Sequence, residues 1–177
     1  MNTFVQRMIR AAKLEVDLFN EVEADKSSMG QAMGVVVLSS VAAGIGTATT
    51  QGFTGIILGT VFALIGWYVW AFLTYFIGTK LLPESRTKAD HGELLRTIGF
   101  SSSPGLIRIL GVIPFLRGIV FFIAGIWMLV AMIIAVRQAL DYTSTLRAVG
   151  VCLIGWLIQM LLIALVVSLF GGLPQGT

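Results

Sequence analysis

From Thr3 to about Phe19 the apolar residues Phe4, Val5, Met8, Ile9, Ala12, Val16 and Phe19 recur at helical spacing, while Arg7, Arg10 and Lys13 fall on other directions. The spacing predicts one amphipathic helix, lying on a membrane surface or capping a helical bundle. The polar run behind it, with Glu15, Asp17, Glu21, Glu23 and Asp25 ahead of Lys26, Ser27 and Ser28, predicts a solvated acidic linker, so that residues 1–30 make a cytoplasmic amino-terminal region. Beyond it the periodicity fades and long apolar runs take over. Four of them, at about 32–50, 54–80, 118–137 and 146–170, predict membrane-spanning helices, since a crossing needs about 20 apolar residues. The second run exceeds that length and must tilt or extend beyond the bilayer. A short tail, 173–177, follows the last.

The segment at 100–116, Phe-Ser-Ser-Ser-Pro-Gly-Leu-Ile-Arg-Ile-Leu-Gly-Val-Ile-Pro-Phe-Leu, decides the topology. Ser103 before Pro104 predicts a helix N-cap with proline at the first position, and Pro114 bends or ends that helix. If the segment stays on the surface, the chain crosses four times and Arg137 and Arg147 face outside. If it crosses as a short third span, both return to the cytoplasm, but Arg108 then sits within the membrane, at about 2.5 to 3.5 kcal/mol on insertion scales.

Composition agrees with the pattern. Of 177 residues 56% are hydrophobic and 12% charged, about half the charge of a soluble domain. A soluble globular protein is excluded, and the chain is expected to be an all-α membrane protein without a second domain. The formal net charge of +3 comes from scarce acids, and no basic patch invites nucleic acid. Lys and Arg cluster at Arg7 to Lys26, at Lys80 to Arg96, and at Arg137 and Arg147; positive clusters mark the cytoplasmic side, but charge arithmetic alone leaves four and five crossings nearly balanced. The first apolar run starts only near Ala32, so no secretory signal pattern is expected. Cys152 lies inside a span and serves as a small packing residue.

The candidate chemistry is sparse. Gly52, Gly55, Gly59, Ala63 and Gly66 form a small-residue stripe on the second span, a surface that lets another helix backbone approach. No carboxylate falls inside the predicted hydrocarbon region, which disfavours a proton-coupled carrier. Arg108, Arg117 and Gln159 are candidate intramembrane or boundary contacts to a lipid or ligand: Arg108 asks for a carboxylate or a lipid phosphate, Arg117 marks the outer turn and snorkels to the interface, and Gln159 is a polar group in the last span. Ser39, Ser40, Thr60 and Thr74 can satisfy themselves on their own helices. His91, the single histidine, is expected to be an ordinary surface residue. Trp67, Trp70, Trp127 and Trp156 sit toward span centres, consistent with core packing or with a hydrophobic cavity. No Walker loop, nucleophile elbow or zinc signature occurs, so no enzyme, cofactor or metal is expected.

Several stretches, in order, resemble the Yip family of membrane proteins, named for interaction with Ypt/Rab GTPases, in its bacterial form. They are Glu-Val-Glu-Ala-Asp at 21–25, Gly-Phe-Ser-Ser-Ser-Pro at 99–104, Ile-Trp-Met at 126–128, and Val-Arg-Gln-Ala-Leu at 136–140 leading to Arg-Ala at 147–148. The resemblance covers nearly the whole chain. It implies a five-span bundle with a cytoplasmic amino terminus and an outer carboxyl terminus, in a bacterial cytoplasmic membrane, over residues 31–172. The Asp-Leu-Tyr-Gly-Pro pattern of eukaryotic amino-terminal regions is missing, so the GTPase partnership is not carried over. The leading expectation is a non-enzymatic scaffold, assembly factor or accessory subunit, a homo-oligomer or a partner of other membrane proteins, using the stripe and the acidic segment Glu21, Glu23 and Asp25. The alternatives are a lipid or small-solute permeation module using Arg108 and Gln159, and membrane shaping by the amino-terminal helix.

Overall fold

The computed structural model describes residues 3–170, so the tail at 173–177 lies outside the described residues. Among those residues every regular element is helical: α1 (Phe4–Ala12), α2 (Val16–Ala24), α3 (Met29–Gly46), α4 (Ala48–Phe76), α5 (His91–Ser101), α6 (Arg117–Ala139) and α7 (Thr145–Phe170). A 3-10 helix, Ser103–Val112, continues α5, and a π-turn, Ile77–Leu81, ends α4. Four segments are long and apolar enough to cross a membrane: Lys26–Gly46, Gly52–Leu81, Arg117–Ala139 and Thr145–Leu162. Their outward faces carry Phe62, Phe122 and Leu161, each about seven-tenths exposed. Helices apolar on both faces belong in lipid.

The amino-terminal region departs from the expected helix and linker. The chain turns at Leu14, whose φ of 63° is left-handed, and splits the periodic stretch into the hairpin α1–α2. The acidic run is helix, not solvated linker, because Leu18, Phe19 and Val22 are fully buried against Val35, Phe100 and Ala135. Three of its acids, Glu15, Glu21 and Asp25, are spent on pairs with the hairpin's own arginines. Arg7 donates to Glu21 (2.9 Å), Asp25 (2.8 Å) and the Gln31 amide oxygen of α3 (2.9 Å), and Arg10 donates to Glu15 (2.9 Å) and Glu21 (2.6 Å). The Trp127 indole N–H donates to the Ala12 carbonyl at 2.8 Å and ties the hairpin to α6.

Helix α5 begins with a reciprocal capping box between Asp90 and Glu93, two orphan backbone donors satisfied at once. From Leu94 to Ser101 every residue is buried. Arg96, 4% exposed, donates to the Val22 and Glu23 carbonyls, so its cation caps the C-terminus of α2. The continuation is 3-10 backbone, and Ser103 is its first residue instead of its cap; the cap is Ser102, which makes no side-chain bond. The segment ends at Val112 because Ile113 precedes Pro114 and is held extended.

This segment runs beside α3 in the same direction. A Cβ on Gly99 would meet the Ala32 Cβ at 2.8 Å, one on Gly105 would strike the Ser39 hydroxyl, and one on Gly111 would come within 3.2 Å of the Gly46 carbonyl. From Ala32 to Gly46, α3 rises about 21 Å at 1.5 Å per residue. Gly99 to Gly111 keeps pace with fewer residues because 3-10 backbone rises about 2.0 Å each. At the opposite end the α6–α7 connection touches the α4–α5 connection. Glu84 accepts from the Thr143 N–H (2.9 Å) and hydroxyl (2.7 Å) and pairs with Arg147 (3.5 Å). The Tyr142 hydroxyl bonds the Gly78 and Leu82 carbonyls at 3.0 and 2.7 Å, at the π-turn where the regular ladder is lost.

Candidate functional site

Between α3, α4, the 3-10 helix, α6 and α7 lies a cavity of about 990 Å³. That is the upper end of the range for small-ligand sites. Its existence follows from what α4 presents. After Gly52, whose φ of 65° and ψ of −172° only glycine adopts without strain, the helix turns Gly55, Gly59, Ala63 and Gly66 to the cavity. A Cβ added at Gly59 or Gly66 would meet nothing within 4 Å. Gly52 itself lies at the break and outside the lining. Contact between α3 and α4 is made elsewhere, where Gly44 admits Ile56, with 2.9 Å to a built Cβ.

Arg108 reaches this cavity from the 3-10 helix. Its Nε donates to the Gly105 carbonyl at 3.0 Å, and Nη2 donates to the Ser39 carbonyl at 3.1 Å and the Ser39 hydroxyl at 2.7 Å. The lining includes no Asp, Glu, His or Lys. Among the described residues no carboxylate pairs with Arg108, and Nη1 has no hydrogen-bond partner. Arginine keeps its charge under any ordinary condition, so the cavity holds one net cation in a mostly apolar wall. Gln159 also lines it and makes no hydrogen bond within the described residues. Trp70 lines it at 9% exposure, with its indole N–H buried and unpartnered. A buried donor without an acceptor costs about 1–3 kcal/mol.

The remaining sequence candidates sit elsewhere. Arg117, at the start of α6, turns back so that its Nε donates to the Gly111 carbonyl at 3.3 Å. Glu21 and Asp25 serve the α1–α2 hairpin. Glu23 is half-buried; burial, then the like charges of Asp141 and Glu93, push its carboxyl up to about 7 against the opposing influence of Arg96. His91 is not an ordinary surface residue: its ring packs in edge geometry against those of Tyr68, Phe72 and Tyr75, at 4.9, 6.0 and 6.4 Å between centroids. Ser40, Thr60 and Thr74 do return their hydroxyls to the helix carbonyls of Val37, Ile56 and Trp70.

Sequence reasoning missed Ser39 as a partner of Arg108 and Trp70 as an unpartnered donor. Only the 69-position separation closing in space makes the first, and no local spacing signals it. Among the described residues no group of three or more His, Cys, Asp or Glu side chains is placed to hold a metal ion. The arrangement therefore offers binding: an apolar volume, one cation held from behind by Ser39, and two unused polar groups.

The model of the Yip1 domain family matches residues 19–167. No curated protein and no solved structure shows a match.

Proposed function

The chain belongs to the Yip1 domain family, and from that premise we propose that it crosses the membrane five times and works, without catalysis, by binding a small membrane-dissolved molecule in the cavity. The observation that carries the reading is convergence. Gly55, Gly59, Ala63 and Gly66 of α4, Arg108 of the 3-10 helix and Gln159 of α7, distant in sequence, all line one volume. On the α4 side this volume is walled by glycine and alanine, so that helix puts no large side chain into it. An assembly or accessory-subunit role would put another helix against the stripe, whereas here Gly55, Gly59, Ala63 and Gly66 line the same volume as Arg108 and Gln159.

The fifth crossing is the segment α5 with its 3-10 continuation. Its parallel course beside α3 supports it, as does the bond of Glu84 to Thr143, which joins two connections that four crossings would separate. Five crossings also gather ten of the twelve Lys and Arg at one end, leaving Arg108 and Arg117, in keeping with a cytoplasmic amino terminus. In a Cys152→Ser background, Leu116→Cys should react with a membrane-impermeant thiol reagent on intact cells, and Thr143→Cys only after the membrane is opened. The reverse pattern is what four crossings require.

The cavity reading is tested by measuring the mass of the intact protein, extracted in mild non-ionic detergent. A retained small molecule that is lost in Gly59→Leu, with helicity unchanged, is the expected result. Retention of a stoichiometric partner chain and nothing small would favour assembly.

A further inference from the structure

The chemistry of the occupant can be narrowed, on the premise that the cavity is a ligand site. We propose that it takes a single-chain amphiphile whose head is an oxyanion, a carboxylate or phosphate, seated on the Arg108 guanidinium with the tail lying along the small-residue face of α4. Three observations point there.

The first is charge. Arg108 carries the only formal charge in the lining, and it has no carboxylate partner among the described residues. Within a bundle flanked by lipid-exposed helices, an uncompensated cation asks for an anion far more strongly than it would in water. The second is geometry. Guanidinium presents five N–H donors in a planar fork. Ser39 and the Gly105 carbonyl occupy Nε and Nη2, which pins the plane and leaves both Nη1 donors for an oxyanion. The unpartnered indole N–H of Trp70 and the amide of Gln159 supply further polar groups in the lining. The third is the wall. Gly59 and Gly66 have open space where a side chain would stand, and the cavity is bounded by spans whose outer faces meet lipid, the phase in which such a molecule is dissolved. A volume of about 990 Å³ lies at the limit of drug-sized sites, which suits one chain.

The test uses the full-length protein in discs of zwitterionic lipid, titrated with hexadecanoate, hexadecyl phosphate and hexadecanol, and read by intact mass and by the fluorescence of Trp67, Trp70 and Trp156 at the cavity. We expect one molecule per protomer, with at least one of the two anions binding about tenfold or more tighter than the alcohol, the scale of a charge-assisted hydrogen bond. Which anion is preferred identifies the head. Arg108→Gln should abolish the preference while the alcohol still binds, Arg108→Lys should keep part of it, and Ser39→Ala should reduce it without removing the charge. Because each variant is scored by its own anion-to-alcohol ratio, a general loss of folding does not imitate the result. Equal binding of anion and alcohol by the unaltered protein, or a preference that survives Arg108→Gln, overturns the inference and leaves the cavity reading standing. Absence of binding by all three probes likewise overturns the inference, while the cavity reading is decided separately by the retained mass and its loss in Gly59→Leu.

Discussion

The two sides of the bundle use glycine for opposite ends. Along the seam between α3 and the α5–3-10 segment, Gly46, Gly99, Gly105 and Gly111 are spent on contact: a Cβ on Gly46, Gly99 or Gly105 would collide across the seam, and one on Gly111 would crowd the Gly46 carbonyl and strike the Phe121 ring of α6. Along α4, Gly59 and Gly66 are spent on emptiness, with nothing within reach of an added carbon. In lipid, where no hydrophobic drive separates helices from solvent, close backbone approach supplies much of the association energy. The seam is therefore where the bundle is held, and the α4 face is where it can hold something else. The amino-terminal hairpin belongs with the closed side, sealed by Phe19, Val22 and Phe100.

The sharpest way to break this contrast is to put the same carbon branch on both faces. Gly105→Val drives into the Ser39 hydroxyl and the Met128 sulfur and should lower stability by about 1–3 kcal/mol or more, the usual cost of overpacking. Gly59→Val should change thermal stability in mild detergent little, while reducing the bound small molecule. Equal destabilisation at the two positions would show that the α4 face is packed.

A smaller effect is expected where the hairpin is pinned to α6. Trp127→Phe keeps the ring and removes the N–H that bonds the Ala12 carbonyl, a loss of about 1 kcal/mol. Hydrogen exchange should rise through α1 and α2 and remain unchanged in α4. Exchange rising throughout would mean that the hairpin is not a separable unit.

The smallest effect is a pH dependence on the closed side. The folded Glu23 carboxyl is raised to about 7 from an ordinary 4.5, so docking of α2 is strongest below about pH 4.5. It weakens as pH rises toward about 7, because the unfolded carboxyl ionises freely while the buried one resists. Glu23→Gln should flatten that slope in hairpin exchange. Asp141→Asn, which removes a contributing like charge and suits the left-handed φ of 52° at that position, should move the transition to lower pH. A slope unaltered by both changes would assign it to another group.

Much of this architecture is legible in the order of residues. Apolar runs with a charge content about half that of soluble domains require lipid, and the four long spans, the helical periodicity of Phe4 to Phe19 and the family resemblance all follow from types and spacings. The site is legible only as a set of suspects: Gly55, Gly59, Ala63, Gly66, Arg108 and Gln159 are conspicuous one at a time. Their common destination is not, because a span is apolar toward protein and lipid alike and carries no periodic signal of which face points inward. The break at Leu14 and the burial of Leu18, Phe19 and Val22 were hidden by acids that read as solvated until Arg7 and Arg10 are placed beside them. What the sequence by itself determined is the solvent, the helices and the scarcity of chemistry, since these depend on composition and local spacing. What only the tertiary structure decided is that Ser39 stands behind Arg108, that the α5–3-10 segment runs with α3, and that Gly59 and Gly66 of α4 face open space in the cavity, since each depends on how residues far apart in the chain are placed.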